Sequence, residues 1–105
     1  MAEYITIRRW ALRDGAEEGE LTALVRERIV PAYKQQPGCR KLELLRVPET
    51  RSYLAITHWD DRDAFAAWAG PDGQDWRDEY RATLERWLDL MVFQDEWDGS
   101  VLVSE

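Results

Sequence analysis

Polar and apolar side chains alternate along the first dozen residues, with Tyr4, Thr6, Arg8 and Trp10 set against Ile5 and Ile7, and the run stops at Asp14-Gly15. A period of two ending at a pair that tolerates turn geometry predicts a strand over Tyr4–Leu12. The period then changes. Leu21, Leu24, Val25, Ile29, Ala32 and Tyr33 recur every three or four positions, and acidic residues crowd the opening turn, where a helix dipole favours them. A helix is expected over residues 17–36. Pro31 cannot donate to the carbonyl of Glu27, so the helix is expected to kink or restart there, and Pro37-Gly38 ends it.

Residues 40–47 and Ser52–Trp59 read as two strands joined by Pro48-Glu49-Thr50-Arg51, a connection short enough for a hairpin. Asp60 or Asp61 is placed to cap a helix that begins near Arg62 and carries Phe65 and Trp68 on one side. Gly70-Pro71-Asp72-Gly73 interrupts it. A longer helix from about Asp75 has Trp76, Tyr80, Thr83, Leu84, Trp87, Leu88 and Met91 on its inner stripe. Val92, Phe93 and Trp97 mark a last strand, and Val101-Leu102-Val103 forms an apolar tail beyond Gly99.

The predicted order, β-α-β-β-α-β, is the ferredoxin-like α+β arrangement, in one domain over residues 1–105. Its strands are apolar on both faces. Leu42 and Leu44 alternate with Leu45 and Val47, and Leu54 and Ile56 alternate with Tyr53, Ala55 and Trp59. Two helices blanket one face of a four-stranded sheet, so the other needs a cover. A second copy packed sheet to sheet about a two-fold axis supplies one, at about 25 cal/mol per Å² of apolar area buried. The expectation is a homodimer in which Leu42, Leu44, Leu54 and Ile56 meet the partner.

Composition narrows the function. With 14 basic and 21 acidic residues the net charge is −7, which opposes binding to a phosphate backbone, so nucleic acid is not an expected partner. One cysteine and one histidine build neither an internal disulfide nor a cluster of soft metal ligands, and no metal is expected. Met1-Ala2-Glu3-Tyr4 lacks the basic start and apolar run of a secretory signal, and no stretch approaches the roughly 18 apolar residues of a membrane span. The chain reads as cytoplasmic, with no membrane partner. No Gly-x-Ser-x-Gly elbow, phosphate-binding glycine loop or dinucleotide fingerprint is present. Six tryptophans and four tyrosines in 105 residues are enough to line an aromatic ligand pocket between sheet and helices.

The passage Pro37-Gly38-Cys39, Glu43-Leu44 and strand-terminal Trp59-Asp60, followed by Phe65 and Trp68, resembles the antibiotic biosynthesis monooxygenase family of small dimeric α+β barrel proteins. The resemblance implies a dimeric barrel and a pocket between helices and sheet, with Trp59 on its wall. It also implies cofactor-free oxygenation, in which an electron-rich small or polycyclic phenol, anthrone or quinol is deprotonated and its anion reduces oxygen directly. Arg8 occupies the place where haem-degrading members have an asparagine, and Ala55 the place of a substrate-binding asparagine in oxygenases. No histidine follows Trp59, which leaves the haem-ligand position of the haem-degrading branch empty. Haem degradation is thus the weaker enzymatic option, and the alternative of another class is a non-catalytic dimer that binds an aromatic or lipid-like ligand or acts as an interaction module.

Strand parity groups Trp59 with Tyr53 and Thr57, and Arg8 with Tyr4 and Thr6. The expected substrate-binding set is therefore Arg8, Tyr53, Thr57, Trp59, Trp68 and Tyr80, with Arg8 and Trp59 as candidates for a catalytic part. Arg8 offers a permanent charge with several donors, suited to a phenolate; the competing reading is an ion-pair partner. A tryptophan in a small domain is ordinarily core. His58 suits general-base chemistry, but alternation turns it away from Trp59 and towards the partner subunit. Cys39 reads as a small packed residue at a strand start, with redox sensing as the alternative.

Overall fold

The computed structural model describes residues 2–105, with Met1 outside the description. Strand β1 (Tyr4–Leu12) leads into a helical run made of α1 (Glu18–Leu24), a π-helical turn (Val25–Ile29) and α2 (Val30–Lys34). The hairpin β2 (Cys39–Arg46) and β3 (Ser52–Trp59) follows, then α3 (Arg62–Ala69), a 3₁₀ turn (Pro71–Gly73), α4 (Gln74–Leu90) and β4 (Met91–Ser100). The sheet is antiparallel throughout, in the order β2-β3-β1-β4. This is the α+β, ferredoxin-like order that the periodicity predicts.

Local chemistry explains the element ends. The restart expected at Pro31 falls in the π turn just before it: the Val30 N–H reaches back five residues to the Val25 carbonyl, and Pro31 then stands in the first turn of α2, where its missing N–H is harmless. Of the two candidate caps for α3, Asp61 serves, its Oδ1 accepting from the Ala64 N–H at 2.8 Å. Gly38 has φ of +81°, and a Cβ there would come within 2.5 Å of Ala64 Cβ, so only glycine lets α3 lie against the end of the helical run.

Register decides which residues look at the helices. Tyr4, Thr6, Arg8 and Trp10 stand opposite Trp59, Thr57, Ala55 and Tyr53, and this face carries the helices. On β2, Leu42 pairs with Thr57 and Leu44 with Ala55, so both leucines point to the helices and pack on the core. The expectation that they meet a partner is corrected. The hairpin register, shifted by an irregularity between Cys39 and Lys41, leaves Leu45 as the β2 leucine on the far face. That face also presents Ile5, Ile7, Leu54 and Ile56, and ends on β4 with Trp97, which is 50% exposed.

The core is Leu12, Leu21, Val25, Ile29, Tyr53, Trp87, Leu90 and Met91. Met91 is not on the helical stripe, as the period of α4 predicts, but opens β4 and is fully buried opposite Leu12. The exposed tail is pinned at its root, where the Val101 N–H donates to the Glu3 carbonyl at 2.8 Å. No helix among the described residues is long and apolar enough to cross a membrane.

Candidate functional site

The helix-facing parity of three strands and the inner stripes of the helices enclose a cavity of about 90 Å³. Its floor is Arg8 and Trp10 from β1, Leu42 and Leu44 from β2, and Ala55 and Thr57 from β3. Its roof is Val25 and Ile29 from the π turn, Tyr33 from α2, and Tyr80, Leu84 and Trp87 from α4. Ala55 stands in register between Arg8 and Leu44, and its short side chain leaves room at the centre of the floor.

Arg8 lies at the cavity edge. Its Nε is 3.3 Å from Glu96 Oε2 on the neighbouring strand, with the Arg8 side chain about one-third exposed (34%) and that of Glu96 well exposed (61%). Such a pair is worth at most about 1 kcal/mol. The guanidinium is thus held loosely and remains free to turn its other donors inward. Arg8 therefore lines the cavity and is at the same time the partner in an exposed ion pair.

The two roof tyrosines are neutral. Burial pushes the Tyr33 phenol up to about 12, with the Arg8 charge pulling the other way. Burial raises Tyr80 too, and neighbouring Tyr33 adds to the effect. Both stay protonated at neutral pH, where they donate hydrogen bonds and do not act as bases. Among the described residues neither carboxylate nor imidazole lines the cavity. The lining therefore offers apolar walls, one permanent cation, two phenols and the buried Thr57 hydroxyl, a set suited to holding a planar aromatic anion.

Of the expected substrate-binding residues, Arg8, Thr57 and Tyr80 line the cavity, and Tyr53, Trp59 and Trp68 do not. Tyr53 is core, its O–H donating to Glu18 Oε1 at 2.9 Å. Trp59 is 1% exposed. Phe65 and Trp68, three residues apart on α3, fold over it with ring centroids at 5.9 and 5.6 Å. Parity put Trp59 on the correct face, but strand periodicity carries no signal for the helix that closes on it. Trp68 also touches Tyr33, at 5.6 Å, so this aromatic stack abuts the cavity from behind. The buried Nε1 atoms of Trp59 and Trp68 have no hydrogen-bond partner among the described residues.

Sequence reasoning missed Trp10, Tyr33, Trp87 and Glu96. The first three were legible, since Trp10 shares the parity of Arg8, Tyr33 lies one turn beyond Ile29, and Trp87 is on the α4 stripe. Glu96 was not, because its place beside Arg8 comes from pairing across 88 residues of chain with a shift in the β1–β4 register. His58 lies on the opposite face, as alternation predicts, between Glu3 and Glu43. Cys39 is half-buried, and burial raises its thiol. Among the described residues no three His, Cys, Asp or Glu side chains stand together as a metal-ligand set.

Residues 4–86 match the model of the antibiotic biosynthesis monooxygenase family, and the chain belongs to that family. Solved structures share its fold end to end. SnoaB, a cofactor-independent oxygenase from Streptomyces nogalater, is 22% identical with a TM-score of 0.65, the match covering 99% of this chain and 97% of that one. MhuD from Mycobacterium tuberculosis, a haem degrader solved with two haems in its active site, is 23% identical with a TM-score of 0.73 over 97% and 98%. A protein from Bordetella bronchiseptica proposed as an antibiotic biosynthesis monooxygenase is 18% identical with a TM-score of 0.66 over 98% and 100%. No curated protein sequence matches the chain.

The raised tyrosines give the site an alkaline signature. Tyr33 ionises near 10 in the unfolded chain and at about 12 in the folded one, so its contribution to stability is intact below pH 10 and lost as pH rises towards 12. The loss from this residue is about 2–3 kcal/mol. Denaturant unfolding at pH 9 and pH 11.5 is expected to show the drop, and Tyr33→Phe to reduce it; an equal drop in the variant would place Tyr33 in water.

Proposed function

We propose that the chain is a cofactor-independent oxygenase acting on a small, electron-rich phenol or quinol held in the Arg8 cavity. The observation that carries this reading is a single guanidinium at the edge of an otherwise apolar cavity roofed by two neutral phenols. An opposite charge within about 4–6 Å lowers the pKa of an ionisable group by roughly one to three units, so Arg8 favours the phenolate over the phenol. With no base among the described lining residues, the proton leaves to water.

The rest is done by the walls. A ring held against Leu42, Leu44 and Trp10 is kept from bulk water, which strengthens its pairing with Arg8. A ring carbon made electron-rich by the phenolate oxygen passes electrons to oxygen and forms a C–O bond. The resulting peroxide takes up a proton and loses water, leaving a carbonyl on the ring. The cavity, about 90 Å³, lies below the roughly 300–1,000 Å³ typical of pockets for drug-sized ligands, which favours one ring over several.

Haem breakdown, the activity of MhuD, does not fit these residues: the sole histidine lies on the other face of the sheet and the cavity is too small for a porphyrin. The same reading includes a homodimer through the sheet face that carries Ile5, Ile7, Leu45, Leu54, Ile56 and Trp97, because no helix of the chain covers it.

The experiment is oxygen consumption by metal-stripped protein with single-ring quinol and catechol substrates, and with anthrone as the larger comparison, alongside binding followed by tryptophan fluorescence. Saturable uptake that follows binding is expected. Saturable binding without any uptake would make the chain a ligand-binding module and end the oxygenase reading.

A further inference from the structure

On the uncovered face of the sheet, the imidazole of His58 is gripped from both sides. Its Nδ1 is 2.6 Å from Glu3 Oε1 and its Nε2 is 2.8 Å from Glu43 Oε1. A neutral imidazole has one N–H and one lone pair, so two ionised carboxylates on its two nitrogens require one proton more than the neutral ring carries. Hydrogen bonds from His58 hold both glutamates below the usual carboxylate range.

The surrounding charges agree. Arg40 Nη1 reaches Glu3 Oε2 at 3.2 Å and its Nε reaches Asp60 Oδ1 at 3.4 Å, while Lys41 Nζ lies 3.5 Å from Glu43 Oε2. Three carboxylates thus face Arg40 and Lys41, and the network is neutral only when His58 is an imidazolium. From the other strands the ring meets Ile5 on β1, itself paired with Gly99 on β4, and neither residue titrates. The side chains of His58, Glu3 and Glu43 are 18%, 30% and 37% exposed, so in the protomer water still screens them.

We propose that this network makes assembly proton-sensitive: packing a second copy on this face retains the imidazolium of His58, and loss of that proton loosens the dimer. The inference rests on the sheet-to-sheet dimer proposed above. A covering copy removes water from the network, and an uncompensated negative charge in a dry interface is costly. The dimer therefore binds more protons than two free protomers, and its association weakens as pH rises. Two networks per dimer set the ceiling at about a hundredfold in Kd per pH unit.

Sedimentation equilibrium at pH 6 and pH 8.5 tests this, in a window above carboxylate titration and below that of lysine and tyrosine. The dimer Kd is expected to rise at least tenfold at the higher pH, and His58→Gln, which keeps one donor and cannot titrate, is expected to flatten the dependence. Near-ultraviolet circular dichroism at both pH values checks that the protomer stays folded. A wild-type dimer of the same strength at both pH values, or a His58→Gln dimer with the wild-type slope, overturns the proton coupling alone. A monomer at every pH overturns the dimer reading and the coupling together.

Discussion

Replacing Arg8 by alanine is expected to weaken binding of a phenolate ligand by roughly 10- to 150-fold, which corresponds to the loss of about 1.5–3 kcal/mol for a hydrogen bond to a charged group. Stability should move by less than about 1 kcal/mol, because the Arg8–Glu96 pair is exposed and such pairs contribute little. The contrast separates a binding role from a structural one. Titration calorimetry gives the first quantity and denaturant unfolding the second. A variant that binds the phenolate as well as wild type but unfolds several kcal/mol more easily would make Arg8 a structural ion-pair partner. Arg8→Lys should recover part of the affinity, since the charge returns without the planar fork of donors.

Ile56→Asp is expected to convert the dimer to a folded monomer, raising the dimer Kd by at least about a thousandfold, because each copy would bury an unpaired carboxylate at a cost of several kcal/mol. Ile56 lies between Ile7 on β1 and Glu43 on β2, on the face that no helix covers, so the new carboxylate would also stand opposite an existing one. Light scattering at micromolar concentration reports the mass, and circular dichroism reports whether the protomer is folded. In a protein that is already monomeric the substituted side chain would remain in water and change neither signal. That result would remove the proposed cover for the face.

The strands and helices were legible in the sequence because each follows from a local period or stop: alternation in β1, the four-residue spacing of Leu21, Val25 and Ile29, the break at Gly70-Pro71. Parity also separated His58 from Trp59 correctly, since alternation within one strand needs no partner. Errors arose where strands pair. Leu42 and Leu44 were assigned to the far face because the alternation in β2 does not say which parity faces inward, and only the pairing of Leu42 with Thr57 and Leu44 with Ala55 decides it. The wall position of Trp59 comes from the family resemblance and not from pairing: its face is right, but the way Phe65 and Trp68 settle over it depends on how α3 docks at Gly38. Arg8 stood out as a charge among aromatic residues, whereas Glu96 beside it lay on a strand distant in sequence.

The central claim, that Arg8 makes this cavity a site for an aromatic anion, is tested most directly with p-nitrophenol, whose phenolate is yellow and whose phenol is not. Titrating the bound ligand by absorbance gives its ionisation midpoint in the site. The account predicts a midpoint at least about one pH unit below that of the free ligand, the minimum expected for a nearby opposite charge, and predicts that Arg8→Ala abolishes the shift. A bound nitrophenol that ionises at or above its free midpoint in the wild-type protein would contradict it.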